Sequence, residues 1–132
     1  MIKITYNPGM NRLSFSFLVF AAFGPLAVPA AVLAHTQLER ASPAVGSTIA
    51  TAPEEVVLSF TETVEPAFST IEVRNSAGAP MQTGKAIVDP AHGTQMRVAL
   101  KPLAPGTYKV IWRVLSVDTH RAQGNFTFRV GQ

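Results

Sequence analysis

Apolar side chains recur at every second position in three separated stretches: Val56, Leu58 and Phe60; Met96, Val98 and Leu100; Phe126, Phe128 and Val130. Period two is the signature of a β-strand, whose successive side chains leave on opposite faces, so each stretch has one face to bury and one to wet. Between them lie turn formers: Asn75-Ser76-Ala77-Gly78, Asp89-Pro90 with Gly93, and Pro105-Gly106, the last suited to a type II turn. Phe68 to Arg74 reads as a further strand and Lys85 to Val88 as a weaker one. Thr107 to Val117, dense in β-branched and aromatic residues, is the strongest, with Trp112 in its middle as a core residue. Gly124 opens the last strand, and Gln37 to Ala41 could form an edge strand before Ser42-Pro43. No helix of useful length, repeat or linker interrupts the series. About seven short strands predict an all-β domain, an antiparallel β-sandwich or closed β-barrel with Greek-key connections.

The first 34 residues read differently. Lys3 and Arg12 give a positive start, Leu13 to Phe23 is apolar apart from two serines, and Val32-Leu33-Ala34 supplies small residues at the positions a signal peptidase requires. A retained anchor is the alternative, since residues 13–34 are long enough to span a bilayer; Pro25, Pro29 and Gly24 favour cleavage. The expected organisation is a secretory signal over 1–34 and one small domain over 35–132. All eight acidic residues and all but two of the eleven basic ones fall in that domain, which is therefore close to neutral. We read no basic patch for nucleic acid in the sequence and no acidic tail. Without cysteine there is neither a disulfide framework nor a thiolate metal site, and the domain must hold itself together by packing.

Cleavage after Ala34 would leave His35 as a free N-terminal residue, and this is where chemistry enters. A terminal histidine offers its α-amine and its ring Nδ1 to one ion, closing a six-membered chelate that no internal histidine can make. Far downstream, Asp118-Thr119-His120 adds a carboxylate and a second imidazole. If the strand continues past Val117, both side chains leave on one face; if it turns, both sit on one short connection. Copper(II) stands at the top of the divalent affinity order and favours a tetragonal set of nitrogen and oxygen donors. His35 and His120 would fill equatorial places, with Asp118 as a nearby oxygen or an orienting group and Thr119 as a spacer.

The same residues carry a resemblance to a family, the periplasmic copper-resistance CopC proteins. It rests on His35-Thr36-Gln37-Leu38 with Ser42-Pro43-Ala44; Leu58-Ser59-Phe60-Thr61-Glu62; Pro105-Gly106-Thr107-Tyr108-Lys109-Val110 with Trp112-Arg113; Ser116-Val117-Asp118-Thr119-His120; and the closing strand Gly124 to Val130. The resemblance implies an immunoglobulin-like or cupredoxin-like Greek-key fold and binding of one copper(II) ion in the periplasm. It also implies a CopD-type inner-membrane copper transporter as partner and no catalytic activity. It carries His35, Asp118 and His120 over as ligands, and Glu62 as a ligand or as an acceptor behind one. Some members have a methionine-rich loop for copper(I); here Met81 and Met96 are scattered and Met96 has core parity, so that site is not expected, and His92 reads as an exposed loop residue.

Two other functions compete. Copper-dependent polysaccharide oxygenases also use an N-terminal histidine chelate, but need open coordination positions and a broad aromatic face; here most aromatics are Phe in the leader or at core parity. A metal-free β-sandwich interaction module is the third, and copper titration separates it from the first.

Overall fold

The computed structural model describes residues 36–132, which form eight strands and one short 3₁₀ turn. The strands are β1 (Leu38–Ser42), β2 (Thr48–Ile49), β3 (Glu55–Phe60), β4 (Thr70–Arg74), β5 (Ile87–Val88), β6 (Gln95–Ala99), β7 (Gly106–Leu115) and β8 (Arg121–Val130). They build two four-stranded sheets, ordered β1-β3-β6-β5 and β2-β8-β7-β4, so the chain crosses between sheets after β1, β2, β3, β4 and β6. This is the sandwich form of the expected architecture, with eight strands where about seven were anticipated.

Alternation decides which face each strand buries. Val56, Leu58 and Phe60 of β3 and Met96 and Val98 of β6 point inward from one sheet. Ile71 and Val73 of β4, Tyr108, Val110, Trp112 and Val114 of β7, and Phe126, Phe128 and Val130 of β8 meet them from the other. Rings lock the centre: Phe60 meets Trp112 edge-on across the two sheets at 5.2 Å between centroids, and Tyr108 stacks on Phe128 at 5.5 Å. The Tyr108 hydroxyl donates to the Ala104 carbonyl at 2.5 Å, so this buried ring leaves no polar atom unpaired.

Several local readings need correction. The last strand begins at Arg121 and runs through Gly124, which faces Trp112 across the ladder. A glycine in mid-strand marks a close approach, and the indole occupies the room a side chain would need: an added Cβ would lie 2.5 Å from Trp112 Cζ2. The strand read from Phe68 starts at Thr70, because Pro66–Phe68 is a 3₁₀ turn. The weak strand read from Lys85 shrinks to Ile87–Val88. Gly106 is the first residue of β7 with φ of 156°, far from the value near +80° of a type II turn. The strand β2 was missed; its two residues pair in parallel with Arg129 and Val130, a contact with no local periodicity to reveal it.

Edge strand β4 is partly closed from outside. Its Val73 N–H donates to the Gln82 side-chain oxygen at 2.9 Å, and its Val73 carbonyl accepts from the Met81 N–H at 2.7 Å.

Candidate metal centre

One end of the sandwich gathers the chain around a single carboxylate. After β3 the backbone bends through Thr61 and Glu62, and β7 ends just before the connection 116–120. Backbone bonds tie these segments together: Val117 N–H donates to the Thr63 carbonyl at 3.0 Å, Glu65 N–H to the Leu115 carbonyl at 2.8 Å, and Val64 bridges Ser116. A third segment joins them where Thr61 N–H donates to the Gln37 carbonyl and Gln37 N–H to the Thr61 hydroxyl, both at 3.0 Å. Residues far apart in sequence, 36–37, 61–64 and 116–120, thus share one corner.

The 116–120 connection is a tight turn, not a continued strand. Ser116 N–H donates to the His120 carbonyl at 2.9 Å, and the buried Ser116 hydroxyl accepts from the His120 N–H at 3.1 Å. The turn closes with Thr119 at φ of 67°, a left-handed conformation rare for a β-branched residue. Asp118 and Thr119 are exposed at its tip, while His120 is half-buried at its base. The alternative in which both Asp118 and His120 sit on one short connection is therefore the one adopted.

Glu62 is the hub. The Thr36 hydroxyl donates to its Oε2, and His120 Nδ1 lies 3.2 Å from its Oε1. An ionised carboxylate only accepts, so Nδ1 carries the proton in this contact. In the neutral ring the free lone pair then belongs to Nε2, which turns away from Glu62. The Thr36 hydroxyl, and behind it His120 and the Ser116 hydroxyl, hold the Glu62 carboxyl below its usual 4.5, against partial burial, which pushes the other way. Glu62 is ionised at neutral pH and keeps the imidazole in one tautomer and orientation, as carboxylates behind metal-bound histidines do.

Of the expected site residues, Glu62 and His120 come together. Asp118 shares the turn but makes no hydrogen bond to either among the described residues. His35 and the leader over 1–34 lie outside the described residues. Thr36, which follows His35 directly, is 3 % exposed and fixed on Glu62. Two contributors escaped the sequence reading, Thr36 and Ser116; each stood inside a motif quoted for its neighbours, with no signal of its own. Among the described residues no three His, Asp or Glu side chains converge closely enough to hold an ion by themselves. Elsewhere, Met96 is buried in the core, Met81 packs against its rim, and the side chain of His92 is largely exposed beside Asp89.

Residues 38–131 match the model of the CopC domain. The chain belongs to the CopC domain family. It is 35% identical over 127 residues to copper resistance protein C of Pseudomonas syringae pv. tomato, covering 92% of this chain and 98% of that one. Among solved structures it resembles CopC from Methylosinus trichosporium OB3b, with TM-score 0.69 at 34% identity, covering 74% of this chain and 94% of that one. It also resembles PcoC of Escherichia coli, described as a methionine-rich copper resistance protein, with TM-score 0.64 at 35% identity, covering 74% and 99%. This CopC domain shares their β-sandwich and differs from the methionine-rich type in the few, dispersed methionines of its described part.

Proposed function

We propose that this CopC domain binds one copper(II) ion in the periplasm and serves copper resistance, holding the ion or exchanging it with a CopD-type membrane transporter. Its similarity to proteins named for copper resistance supports the general function. The observation that carries the site is the shared carboxylate: Glu62 takes the Thr36 hydroxyl on one oxygen and faces His120 Nδ1 with the other. Thr36, the neighbour of His35 in sequence, is held on the same carboxylate as His120, which supports a site shared by the two histidines. On this reading a freed His35 supplies its α-amine and Nδ1, and His120 supplies Nε2. Asp118 adds an oxygen from the turn tip, and Glu62 stays behind the imidazole as its acceptor instead of binding the ion. The donor set is nitrogen-rich with a carboxylate at hand, which suits copper(II).

Intact-mass analysis of the exported protein tests the premise, with a mature chain beginning at His35 as the expected result. Copper(II) titration then compares that protein with one carrying an extra residue before His35. The extension converts the amine to an amide and should weaken binding strongly; equal affinity refutes the chelate. Affinity should also fall on acidification between about pH 8 and 5, because imidazole and α-amine, with reference values near 6.5 and 7.7–8.0, must lose protons to bind. Oxygen uptake with reductant and polysaccharide would instead favour an oxygenase.

A further inference from the structure

The outer face of the sheet β2-β8-β7-β4 is strongly basic. Exposed Arg74 of β4, Lys109 and Arg113 of β7, and Arg121 and Arg129 of β8 alternate with buried core residues and so share that face. Its strands carry one carboxylate, Glu72, which pairs with Arg74 at 2.8 Å and faces Arg113 at 3.6 Å. Among the described residues Lys109, Arg121 and Arg129 have no acidic partner. The other seven of the eight acidic residues lie outside the strands of this sheet. The near-neutral total therefore hides a polarised molecule, and the absence of a basic patch read from the sequence needs correction. Cations spaced along three strands look dispersed in a linear chain, and only the pleat collects them.

The face also has shape. Phe68, Thr70, Arg113, Arg121 and Gln123 line a concavity of about 360 Å³. Phe68 is 68% exposed, unusual for a large aromatic side chain, and Arg121 directly follows His120. A flat bilayer does not fill such a hollow, whereas a projecting side chain does. Guanidinium forks bind carboxylates in two-point fashion, and an exposed ring beside them accepts an apolar or aromatic neighbour.

We propose that Phe68, Arg113 and Arg121 dock an acidic segment of a protein partner, one that carries an apolar or aromatic side chain among its carboxylates. The docked segment lies alongside the turn that bears His120. This inference concerns the face alone and holds whether or not the ion bound at that turn is copper.

The test uses the purified metal-free protein, isotope-labelled for nuclear magnetic resonance, and a short synthetic peptide alternating Glu and Tyr. A peptide alternating Lys and Tyr is the control. The expected result is that only the acidic peptide shifts the signals of residues around Phe68, Arg113 and Arg121, with binding weakened by salt. Arg113→Glu should weaken it by about tenfold or more, Arg113→Gln by less, and Phe68→Ala measurably, while Lys101→Glu, off the face, leaves it intact. Equal binding of both peptides, no binding of either, or equal loss with Lys101→Glu overturns the proposal. Binding to phosphatidylglycerol vesicles that the peptide does not displace would overturn it in favour of a membrane surface. Self-association through the same residues would overturn it in favour of a second copy. Copper titration of Arg113→Glu should match the wild type, so failure here is separable from failure of the metal site.

Discussion

Alanine at position 124 would place a Cβ 2.5 Å from Trp112 Cζ2, 2.8 Å from Cε2 and 3.1 Å from Nε1. Real contacts of this kind do not fall below 3.0 Å, so something must move. The indole cannot retreat freely, because it also meets Phe60 edge-on at 5.2 Å and is only 8% exposed. Nor can the backbone, since Trp112 and Gly124 face each other within a continuous ten-pair ladder. Overpacking of this sort costs about 1–3 kcal/mol, and for a domain of this size each kcal/mol lowers the melting temperature by about 4–8 °C. Thermal and urea unfolding of Gly124→Ala measure the loss, and near-ultraviolet circular dichroism reports the displaced indole. The cause is isolated by Trp112→Phe. That change costs stability alone but relieves Gly124→Ala, so the double variant should be more stable than the two losses summed, with a coupling of about 0.5–3 kcal/mol. Unchanged stability with an unchanged indole signal, or strict additivity, would refute the steric argument.

Glu62→Gln keeps the shape of the hub but removes its charge; copper(II) affinity should drop while the fold persists, as read by titration and circular dichroism on the same sample. Thr119→Gly relieves the left-handed strain of 1–3 kcal/mol that a non-glycine residue carries there, offset by a more flexible unfolded chain; the net expectation is stabilisation by up to about 1 kcal/mol in urea unfolding. Asp89 is held below its ordinary 3.8 first by the Ala91 N–H and then by Arg97, and Glu62 below its 4.5 first by Thr36. Groups with depressed folded values stabilise fully above their unfolded values and lose that contribution as pH falls through the folded ones. Stability should therefore be flat from neutrality down to about pH 5 and decline below it, and Asp89→Asn should make the decline shallower.

The core was legible because burial follows parity: β3, β6, β7 and β8 show the alternation directly, and Trp112 fell where mid-strand position put it. What failed was whatever depends on distant partners. Nothing in Thr48-Ile49 announces a parallel match to Arg129 and Val130, and nothing in Gly124 says that an indole from the neighbouring strand fills its space. At the site, the pairing of Asp118 and His120 on one connection could be foreseen from spacing. The two-sided role of Glu62 could not, since it arises where residues 36, 62 and 120 meet. The basic face was hidden for a similar reason, its members being dispersed among neutral neighbours along the chain.

Val73 on edge strand β4 spends its outward amide on Gln82 and its outward carbonyl on Met81. An open strand border is a template on which a second molecule can add by main-chain pairing, the first step toward fibrils. Here that row is interrupted by a neighbouring loop and one amide side chain, so the protein can be concentrated with less risk of stacking border to border. The safeguard is narrow, because exchanging that one glutamine for a residue without an acceptor would reopen half of the gap.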